Sequence, residues 1–431
     1  MLKFKQIQIL AKKYAKADII KVFSLTAVAT IVKGLTGFIS VKVIAVVIGS
    51  SGIAMLGQLT NFSSIVMTLA TGGIGNGVVK YVAQYKEKSV IIKIYLSTAF
   101  RVIIFSSAIC SLVLIFFATF FSKVIFFNEN YSYVFTLFGA TIILYAFNSF
   151  FICIVNGYKQ FKSYVAINIF DSLSGLIFSL ILVMLFGLKG ALIGAVTYQS
   201  VMFFVTFYFI YKSPWFSFKN FSDKVNNLAL KKYLSFTLMT FVSAVTVPTS
   251  QLIVRSHLIK SLSAQQAGWW EAMNRLSSLY LMVITTSLGV YYLPKLAEIK
   301  EKSDLKNEIT NAYKIIIPIL IISCTGIYLL RDLVIQFVFS KEFSPIRNLF
   351  IWQLFGDIFK ISSWIIAYTL IAKSHTKLYI FTEIFFSCLF ILLSFILVSI
   401  NGITGVIQAY LLNYIVCFIF MYLIFRKFIL K

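Results

Sequence analysis

Several long stretches of this sequence are apolar almost throughout. Residues 102–121 contain no charged side chain, and residues 381–400 contain only Glu383. A run of about 20 such residues is long enough to cross the hydrocarbon core of a bilayer as a helix. The strands of a membrane β-barrel would instead alternate apolar and polar residues, which these runs do not. The pattern therefore predicts transmembrane α-helices.

Composition extends this prediction to the whole chain. Of the 431 residues, 60% are hydrophobic and only 12% are charged, whereas soluble domains carry about 25% charged residues. We expect an all-α polytopic membrane protein with twelve transmembrane helices in two six-helix bundles. The expected segments are a basic N-terminal segment (1–22), the first bundle (23–211), a cytoplasmic linker (212–232), the second bundle (233–425) and a cytoplasmic tail (426–431).

The chain is strongly basic, with 39 Lys and Arg against 14 Asp and Glu. In a soluble protein this excess would favour a nucleic-acid partner. Here most cations collect in alternate loops, which is typical of the cytoplasmic loops of membrane proteins. The opposite loops hold only a few: Lys123, Lys189, Lys260, Arg331, Lys341 and Arg347. We therefore expect both termini in the cytoplasm, no cleavable signal peptide and no nucleic-acid partner.

The two halves of the chain resemble each other weakly. The tetrapeptide Lys-Glu-Lys-Ser follows the second predicted helix at 86–89 and the eighth at 300–303. Lys42 and Arg255 occupy matching places in the first and seventh helices. With six predicted helices in each half, the repeat would have parallel topology, an arrangement found among transporters. No loop is long enough for a soluble catalytic domain, so a transporter is expected rather than an enzyme.

Charged residues inside the predicted helices are the candidates for function. A charge at mid-bilayer costs about 3 kcal/mol, so such residues mark a polar pathway by default. The cations are Lys33, Lys42, Arg101, Arg255, Arg275 and Lys360, and the acids are Asp171, Glu271, Asp357 and Glu383.

Each group has a simpler alternative. Lys42 and Arg255 could extend toward the membrane surface. Asp357 and Lys360, three residues apart on one helical face, could neutralise each other. The acids could carry protons, or they could serve only as partners for the cations.

Motifs for phosphate loops, nucleophiles and metal ligands are absent from the sequence. His257 and His375 are the only histidines, and the five cysteines are isolated in apolar runs. The glycine-rich segment 72–77 lacks the P-loop lysine and is expected to bend the chain or to allow close helix packing. We expect no metal and no cofactor. A cavity rich in Lys and Arg with few acids would suit an anionic, phosphate-bearing passenger.

Several short stretches match a known family of membrane proteins. They are 75–85 (GNGVVKYVAQY), 236–239 (FTLM), 329–332 (LLRD), 347–357 (RNLFIWQLFGD) and 371–373 (IAK). With them the chain resembles the Wzx flippases of the multidrug/oligosaccharidyl-lipid/polysaccharide exporter superfamily over nearly its whole length. The resemblance implies a twelve-helix, V-shaped protein of the bacterial inner membrane. It would move an undecaprenyl-pyrophosphate-linked oligosaccharide, either an O-antigen unit or enterobacterial common antigen lipid III, from the cytoplasmic to the periplasmic leaflet.

The resemblance also ranks the charged residues. Those of the same type as in the family pattern are Lys33, Lys42, Lys80, Arg255, Asp357, Lys360 and Glu383. We expect four of them to bind the pyrophosphate head group: Lys33, Lys42, Arg255 and Lys360. Asp357 and Glu383 are expected to couple transport to protons or to pair with cations. Lower-ranked cavity candidates are Lys80, Arg101, Asp171, Glu271 and Arg275.

The expected mechanism is alternating access, in which the two bundles rock against each other. The implied partners are the lipid-linked oligosaccharide and the bilayer, with a polysaccharide polymerase and a chain-length regulator as further candidates. The chain is expected to act as a monomer.

Three other functions are carried as alternatives. A cation-coupled small-molecule or drug exporter of the same superfamily would share the fold, but a cationic drug would favour acids over Lys and Arg. A polysaccharide polymerase would need a substantial outer loop, and none is predicted. A peptidoglycan-precursor flippase would be expected to have fourteen helices rather than twelve.

Overall fold

A computed structural model describes the backbone of residues 2–373 and 375–426, and the side chains of these residues except 2–27, 235, 236 and 239. The described residues form helices and short connections, with no strand among them. This confirms the predicted all-α class. The side chains of the basic segment 1–22 lie outside the described residues, and of the tail 426–431 only Arg426 is described.

Fourteen α-helices follow one another along the described chain. They are α1 (Leu2–Ala70), α2 (Gly75–Tyr85), α3 (Ser89–Phe116), α4 (Ala118–Phe126), α5 (Ser132–Gly157), α6 (Phe161–Tyr211), α7 (Asn227–Ser261), α8 (Ala264–Ser287), α9 (Leu293–Glu298), α10 (Lys302–Leu329), α11 (Arg331–Val338), α12 (Phe350–Ala372), α13 (Thr376–Asn401) and α14 (Ile403–Ile424). Short 3-10 segments cover Glu129–Tyr131, Phe218–Phe221 and Lys341–Leu349, and a π-helical turn, Leu288–Tyr292, joins α8 to α9.

Within the described residues, nine helical stretches are long and apolar enough to cross a membrane. The predicted polytopic membrane protein is thereby confirmed. Two of these stretches, Val28–Ala70 and Phe161–Tyr211, have 43 and 51 residues, whereas one crossing needs about 20. Each contains a glycine with positive φ, Gly49 at 66° and Gly187 at 54°, where a residue with a Cβ would be strained. The helical path is interrupted at these two glycines.

The glycine-rich segment after α1 bends the chain, as the sequence predicts. Gly72 and Gly73 have φ values of 62° and 63°, and they separate α1 from α2. The sequence predicts a second transmembrane helix over 53–79. In the structure this helix ends at Ala70, before the two glycines. The short helices α4 and α11, which follow α3 and α10, were not predicted.

The helices pack in two sets that meet along α1, α7 and α8. In the first set α6 packs against α1 and α5, and α5 also packs against α3. In the second set α14 packs against α12 and α13. Helix α1 also packs against α7 and α8. The closest approach is at Gly268 on α8, where a Cβ would overlap the carbonyl oxygen of Ser50. The seam between the sets is therefore a backbone-to-backbone contact beside the Gly49 interruption.

The segment between α6 and α7 is fastened to the first set of helices. The Trp215 ring stacks on Tyr158 with 4.9 Å between ring centroids. Arg101 Nε on α3 donates to the Asp223 carbonyl oxygen at 2.8 Å, and Lys93 Nζ pairs with the Asp223 carboxylate at 2.8 Å. The guanidinium of Arg101, predicted to be a cavity candidate, is thus used to hold the connecting segment.

Candidate functional site

A cavity of about 820 Å³ lies between the two sets of helices. Its walls come from α1 and α6 of the first set and from α12, α13 and α14 of the second, with α7 and α8 contributing the rest. Seven of the ten charged residues that the sequence places inside helices line it: Lys33, Arg255, Arg275 and Lys360, and Asp171, Glu271 and Glu383. The cavity is less cationic than the sequence suggests, because three carboxylates accompany the four cations.

Two guanidinium groups share one carboxylate in the wall formed by α7 and α8. Arg255 Nη2 donates to Glu271 Oε2, and Arg275 Nε donates to Glu271 Oε1 at 2.8 Å. Gln58 Oε1 accepts from Arg255 Nη1 at 3.4 Å. Gly57 leaves room for the cluster, because a Cβ there would come within 2.7 Å of Glu271 Cδ.

The burial of this cluster bears on one alternative for Arg255, extension toward the membrane surface. The residue is only 1% exposed, so it does not extend to the membrane surface. Two guanidinium groups against one carboxylate leave the cluster with one net positive charge. Among the described residues, Arg255 Nε has no hydrogen-bond partner, so part of the guanidinium is unsatisfied.

Asp357 is fully buried and does not line the cavity. It accepts hydrogen bonds from four side chains: Ser277 Oγ (2.8 Å), Tyr410 OH (2.7 Å), Gln353 Nε2 (3.4 Å) and Tyr280 OH. None of the ion pairs found among the described side chains joins Asp357 to Lys360. The carboxylate is hydrogen-bonded by donors from α8, α12 and α14 instead of by Lys360, although the two charges still attract each other.

Each lysine of the cavity lies within electrostatic range of one acid, Lys33 of Asp171 and Lys360 of Asp357. Lys360 Nζ lies 5.1 Å from the ring centroid of Trp364 and 5.8 Å from those of Tyr410 and Tyr414, distances at which a cation is attracted to a ring face. Lys33 is exposed to the cavity from α1. Neither lysine takes part in an ion pair within the described side chains.

The remaining acids lie on opposite walls. Asp171 on α6 lines the cavity together with Tyr198, and its Oδ1 has no hydrogen-bond partner within the described residues. Glu383 on α13 is half-buried and lines the cavity beside Tyr379. Each wall therefore carries one carboxylate of its own.

Besides Asp357, three predicted candidates do not line the cavity: Lys42, Lys80 and Arg101. Lys42 Nζ donates to the carbonyl oxygens of Gln336 and Phe339, at 2.9 and 2.6 Å. These carbonyls lie at the C-terminal end of α11, where helices leave acceptors unsatisfied and favour cations. The Lys80 ammonium, on α2, lies 5.5 Å from the ring centroid of Tyr81.

Most uncharged residues of the site were missed. The cavity wall includes Trp364, Tyr410 and Tyr414, together with Asn61 and Asn274. Isolated aromatic and amide residues in apolar helices carry no distinct sequence signal. The i, i+4 spacing of Lys360 with Trp364, and of Tyr410 with Tyr414, was the available clue, because such pairs share one helical face.

The arrangement can solvate a polar or anionic ligand inside an apolar bundle. Cations on both sets of helices face the same space, and hydroxyl and amide groups line the rest. In the described part of the chain, no group of three or more His, Cys, Asp or Glu could hold a metal ion. The geometry is therefore that of a binding cavity built from charge and hydrogen bonds.

Removing the charge of Glu271 should destabilise the protein more than removing that of Arg275. Glu271→Gln leaves the buried Arg255 without its carboxylate, and breaking a buried pair in this way costs about 3–5 kcal/mol. Arg275 has a side chain that is 21% exposed, so Arg275→Gln should cost about 1 kcal/mol. Thermal midpoints of the purified variants in detergent would show the order. Equal midpoints would contradict the shared-carboxylate cluster.

Known proteins of similar sequence and structure fit this geometry. The lipid III flippase of Escherichia coli strain K12 is 28% identical over 393 residues, which are 91% of this chain and 94% of that protein. An inward-facing multidrug resistance MATE family transporter of the MOP superfamily has a TM-score of 0.74 at 14% identity, covering 91% of this chain and 94% of that one. The lipid II flippase MurJ, in an inward closed conformation, has a TM-score of 0.72 at 18% identity, covering 93% and 87%.

At these identities the two structures establish the fold alone, which this chain shares with them. The resemblance predicted from the sequence motifs is confirmed by the similarity to the lipid III flippase and by a family match. The model of one family, described as polysaccharide biosynthesis protein, matches residues 19–300. Because this match covers more than half of the sequence, the chain belongs to the polysaccharide biosynthesis protein family.

Proposed function

We propose that this protein is a flippase that moves an undecaprenyl-pyrophosphate-linked oligosaccharide across the bacterial inner membrane. The observation that carries the proposal is the cavity in which Lys33, Arg255, Arg275 and Lys360 meet between two sets of apolar helices. Cations in such a place are expensive unless they serve a polar pathway. The similarity to the E. coli lipid III flippase over most of both chains supports the same conclusion.

The pyrophosphate is assigned first to the cations that make no direct ion pair among the described side chains. Lys33 on α1 and Lys360 on α12 are the first two, and they lie on different sets of helices. Arg275 and Arg255 are the next two candidates, because together with Glu271 they keep one net positive charge. Charge-assisted hydrogen bonds to phosphate oxygens are about twice as strong as neutral ones. Lys42 leaves the set of ligands because its ammonium is used by the end of α11.

The sugars are assigned to the uncharged polar lining. Asn61, Ser172, Asn274 and Asn413 line the cavity, and Asn274 Nδ2 and Asn413 Oδ1 have no hydrogen-bond partner within the described residues. Hydroxyl groups need such partners, since burying each one without a hydrogen bond costs several kcal/mol, about 2–7 on transfer scales. The polyprenyl tail can stay in lipid while the head group passes through the protein.

We also propose twelve spans in two parallel bundles, 23–211 and 233–425. Counting α1 and α6 as two spans each, across Gly49 and Gly187, raises the nine membrane-length stretches of the described chain to eleven. We take α7 (Asn227–Ser261) as the twelfth span. Helices α3 and α10 both have 28 residues. Phe161 and Thr376 each begin a helix 26 positions before a glycine of nearly the same conformation, Gly187 (φ 54°, ψ −130°) and Gly402 (φ 56°, ψ −137°). Equal lengths and matched glycines are what a parallel repeat would produce.

The basic loops are assigned to the cytoplasm, with both termini on that side. At the opposite end, two polar links join α1 to residues 336–342, which lie at the end of α11 and just after it. Glu342 accepts hydrogen bonds from the backbone N–H and the hydroxyl of Ser50, and Lys42 holds the Gln336 and Phe339 carbonyls. We call these contacts the outer latch. We propose that the latch closes the periplasmic end and must open when the bundles rock.

Substitution of the cavity lysines should impair flipping in cells. We expect the protein to restore surface polysaccharide in a strain lacking its own flippases, with loss of the accumulated undecaprenyl-linked oligosaccharide measured by mass spectrometry. Lys33→Gln and Lys360→Gln should each slow delivery by at least about tenfold, the loss expected from one charged hydrogen bond. The control is Lys123→Gln, at a surface pair with Glu129, which should have no effect.

Two outcomes would count against the assignment. Normal flipping by both variants at normal protein levels would remove the lysines from the head-group site. Verified expression of the unmodified protein without rescue of any polysaccharide pathway would overturn the flippase proposal and favour the small-molecule exporter.

Locking the outer latch should stop transport reversibly. Ser50→Cys and Glu342→Cys, combined in a Cys388→Ser background because native Cys388 is exposed, can be joined by a short reducible thiol cross-linker. Delivery of the oligosaccharide should cease on cross-linking and return on reduction, while each single-cysteine variant stays active. Continued delivery by fully cross-linked protein would show that these contacts do not have to separate.

Glu383, rather than Asp357, is proposed to couple transport to protons. Glu383 faces the cavity, whereas Asp357 is buried and saturated with donors. Collapsing the pH gradient with an ionophore should slow flipping by the unmodified protein but not change the residual rate of Glu383→Gln. Unchanged flipping by the unmodified protein, or retained sensitivity in Glu383→Gln, would contradict this role.

The carrier is proposed to act as a monomer that delivers its product to a polysaccharide polymerase and a chain-length regulator in the periplasmic leaflet. Light scattering in detergent and co-purification from membranes would test these two points. A stable dimer would contradict the first, and absence of both enzymes from gently solubilised complexes would contradict the second.

A further inference from the structure

Three aromatic rings surround the ammonium group of Lys360. Trp364 follows Lys360 by one turn on α12, and Tyr410 and Tyr414 are one turn apart on α14. The three ring centroids lie 5.1, 5.8 and 5.8 Å from Lys360 Nζ. We call Trp364, Tyr410 and Tyr414 the aromatic box. Boxes of this kind attract cations through the negative faces of their rings.

The box is held in place by contacts that do not involve Lys360. Tyr410 OH donates to Asp357 Oδ1 at 2.7 Å, which fixes the orientation of that ring. Gly356 lets the ring approach α12, because a Cβ there would come within 2.5 Å of Tyr410 Cδ1. Tyr414 packs edge-on against Tyr410 with 4.8 Å between ring centroids. The two tyrosine rings should therefore keep their arrangement when the lysine is removed.

An aromatic box beside carboxylates is a site that suits a foreign organic cation. Glu383 lines the same cavity as the box, and the buried Asp357 lies against Tyr410. Ligand cations bound in aromatic boxes are recognised mainly by ring faces, with nearby acids adding long-range attraction. In this protein the position is already filled by a cation that belongs to the chain.

We propose that Lys360 is a specificity-determining residue, a tethered cation that occupies the aromatic box and excludes cationic passengers from the cavity. The same ammonium presents positive charge to an anionic passenger. The inference deepens the proposed function. It rests on that function only in taking the natural passenger to be anionic. It gives one residue through which a fold shared with a multidrug resistance transporter could be biased toward anionic passengers.

The test measures binding of tetraphenylphosphonium, a lipophilic cation, to purified protein by equilibrium dialysis. Lys360→Ala empties the box and should bind the probe at least about tenfold more tightly than the unmodified protein, the gain expected when a desolvated cation meets several ring faces. Lys360→Arg keeps the charge and should bind no better than the unmodified protein. A Lys360→Ser variant gives a second small side chain, and thermal midpoints identify the variants that are folded.

Matched double variants locate the gain. Lys360→Ala with Trp364→Leu should lose most of the added affinity, because one wall of the box is gone. Lys360→Ala with Trp352→Leu should keep it, since Trp352 lies on the same helix but does not line the cavity. A purely structural role for Lys360 would not create new affinity in any of these proteins.

The inference is overturned if folded Lys360→Ala and Lys360→Ser bind the probe no tighter than the unmodified protein. It is equally overturned if the added affinity survives Trp364→Leu. The assay contains no lipid-linked oligosaccharide, so its result does not depend on flipping. Failure of the unmodified protein to rescue any polysaccharide pathway would instead overturn the proposed function.

Discussion

Ionised side chains on membrane-length helices are stable only where another charge, a hydrogen-bond donor or water replaces their hydration. In this chain that constraint brings most of the buried charges to one cavity. Arg255 reaches Glu271, which also holds Arg275, while Asp357 collects donors from three helices. Helices α7 and α8, which carry the arginines and Glu271, also pack against α1, so this part of the charge network lies at the seam between the two sets of helices.

The network leaves its charges in two different states. Arg255 and Arg275 are fixed by a shared carboxylate, whereas Lys33 and Lys360 have none among the described ion pairs. Fixed cations hold α7 and α8 together and give the wall a permanent positive charge. The lysines can change partners at lower cost, because Lys33 is exposed, Lys360 lies against aromatic rings, and neither has a direct ion pair to break among the described side chains. A passenger that arrives and leaves needs ligands of the second kind.

Hydrophobic runs and charge placement predicted the all-α membrane class and most of the cavity charges, since both follow directly from the cost of polar groups in hydrocarbon. Three-dimensional partners could not be read in the same way. Lys42 and Arg101 have the sequence context of cavity residues, but carbonyl groups from distant segments bind them. Asp357 and Lys360 have ideal spacing for a pair, yet hydroxyl groups from α8 and α14 donate hydrogen bonds to the carboxylate. Competition between partners far apart in sequence decided each case.

The central claim is that the cavity carries a lipid-linked oligosaccharide from one leaflet to the other. The direct measurement uses purified protein in liposomes with labelled undecaprenyl-pyrophosphate-linked oligosaccharide, and follows how much label an impermeant glycosidase can release over time. Release should rise from about half of the label, the fraction in the outer leaflet of a symmetric vesicle, toward all of it, and only in vesicles that contain the protein. A fraction that stays at the level of protein-free vesicles, with correctly folded protein present, would contradict the claim.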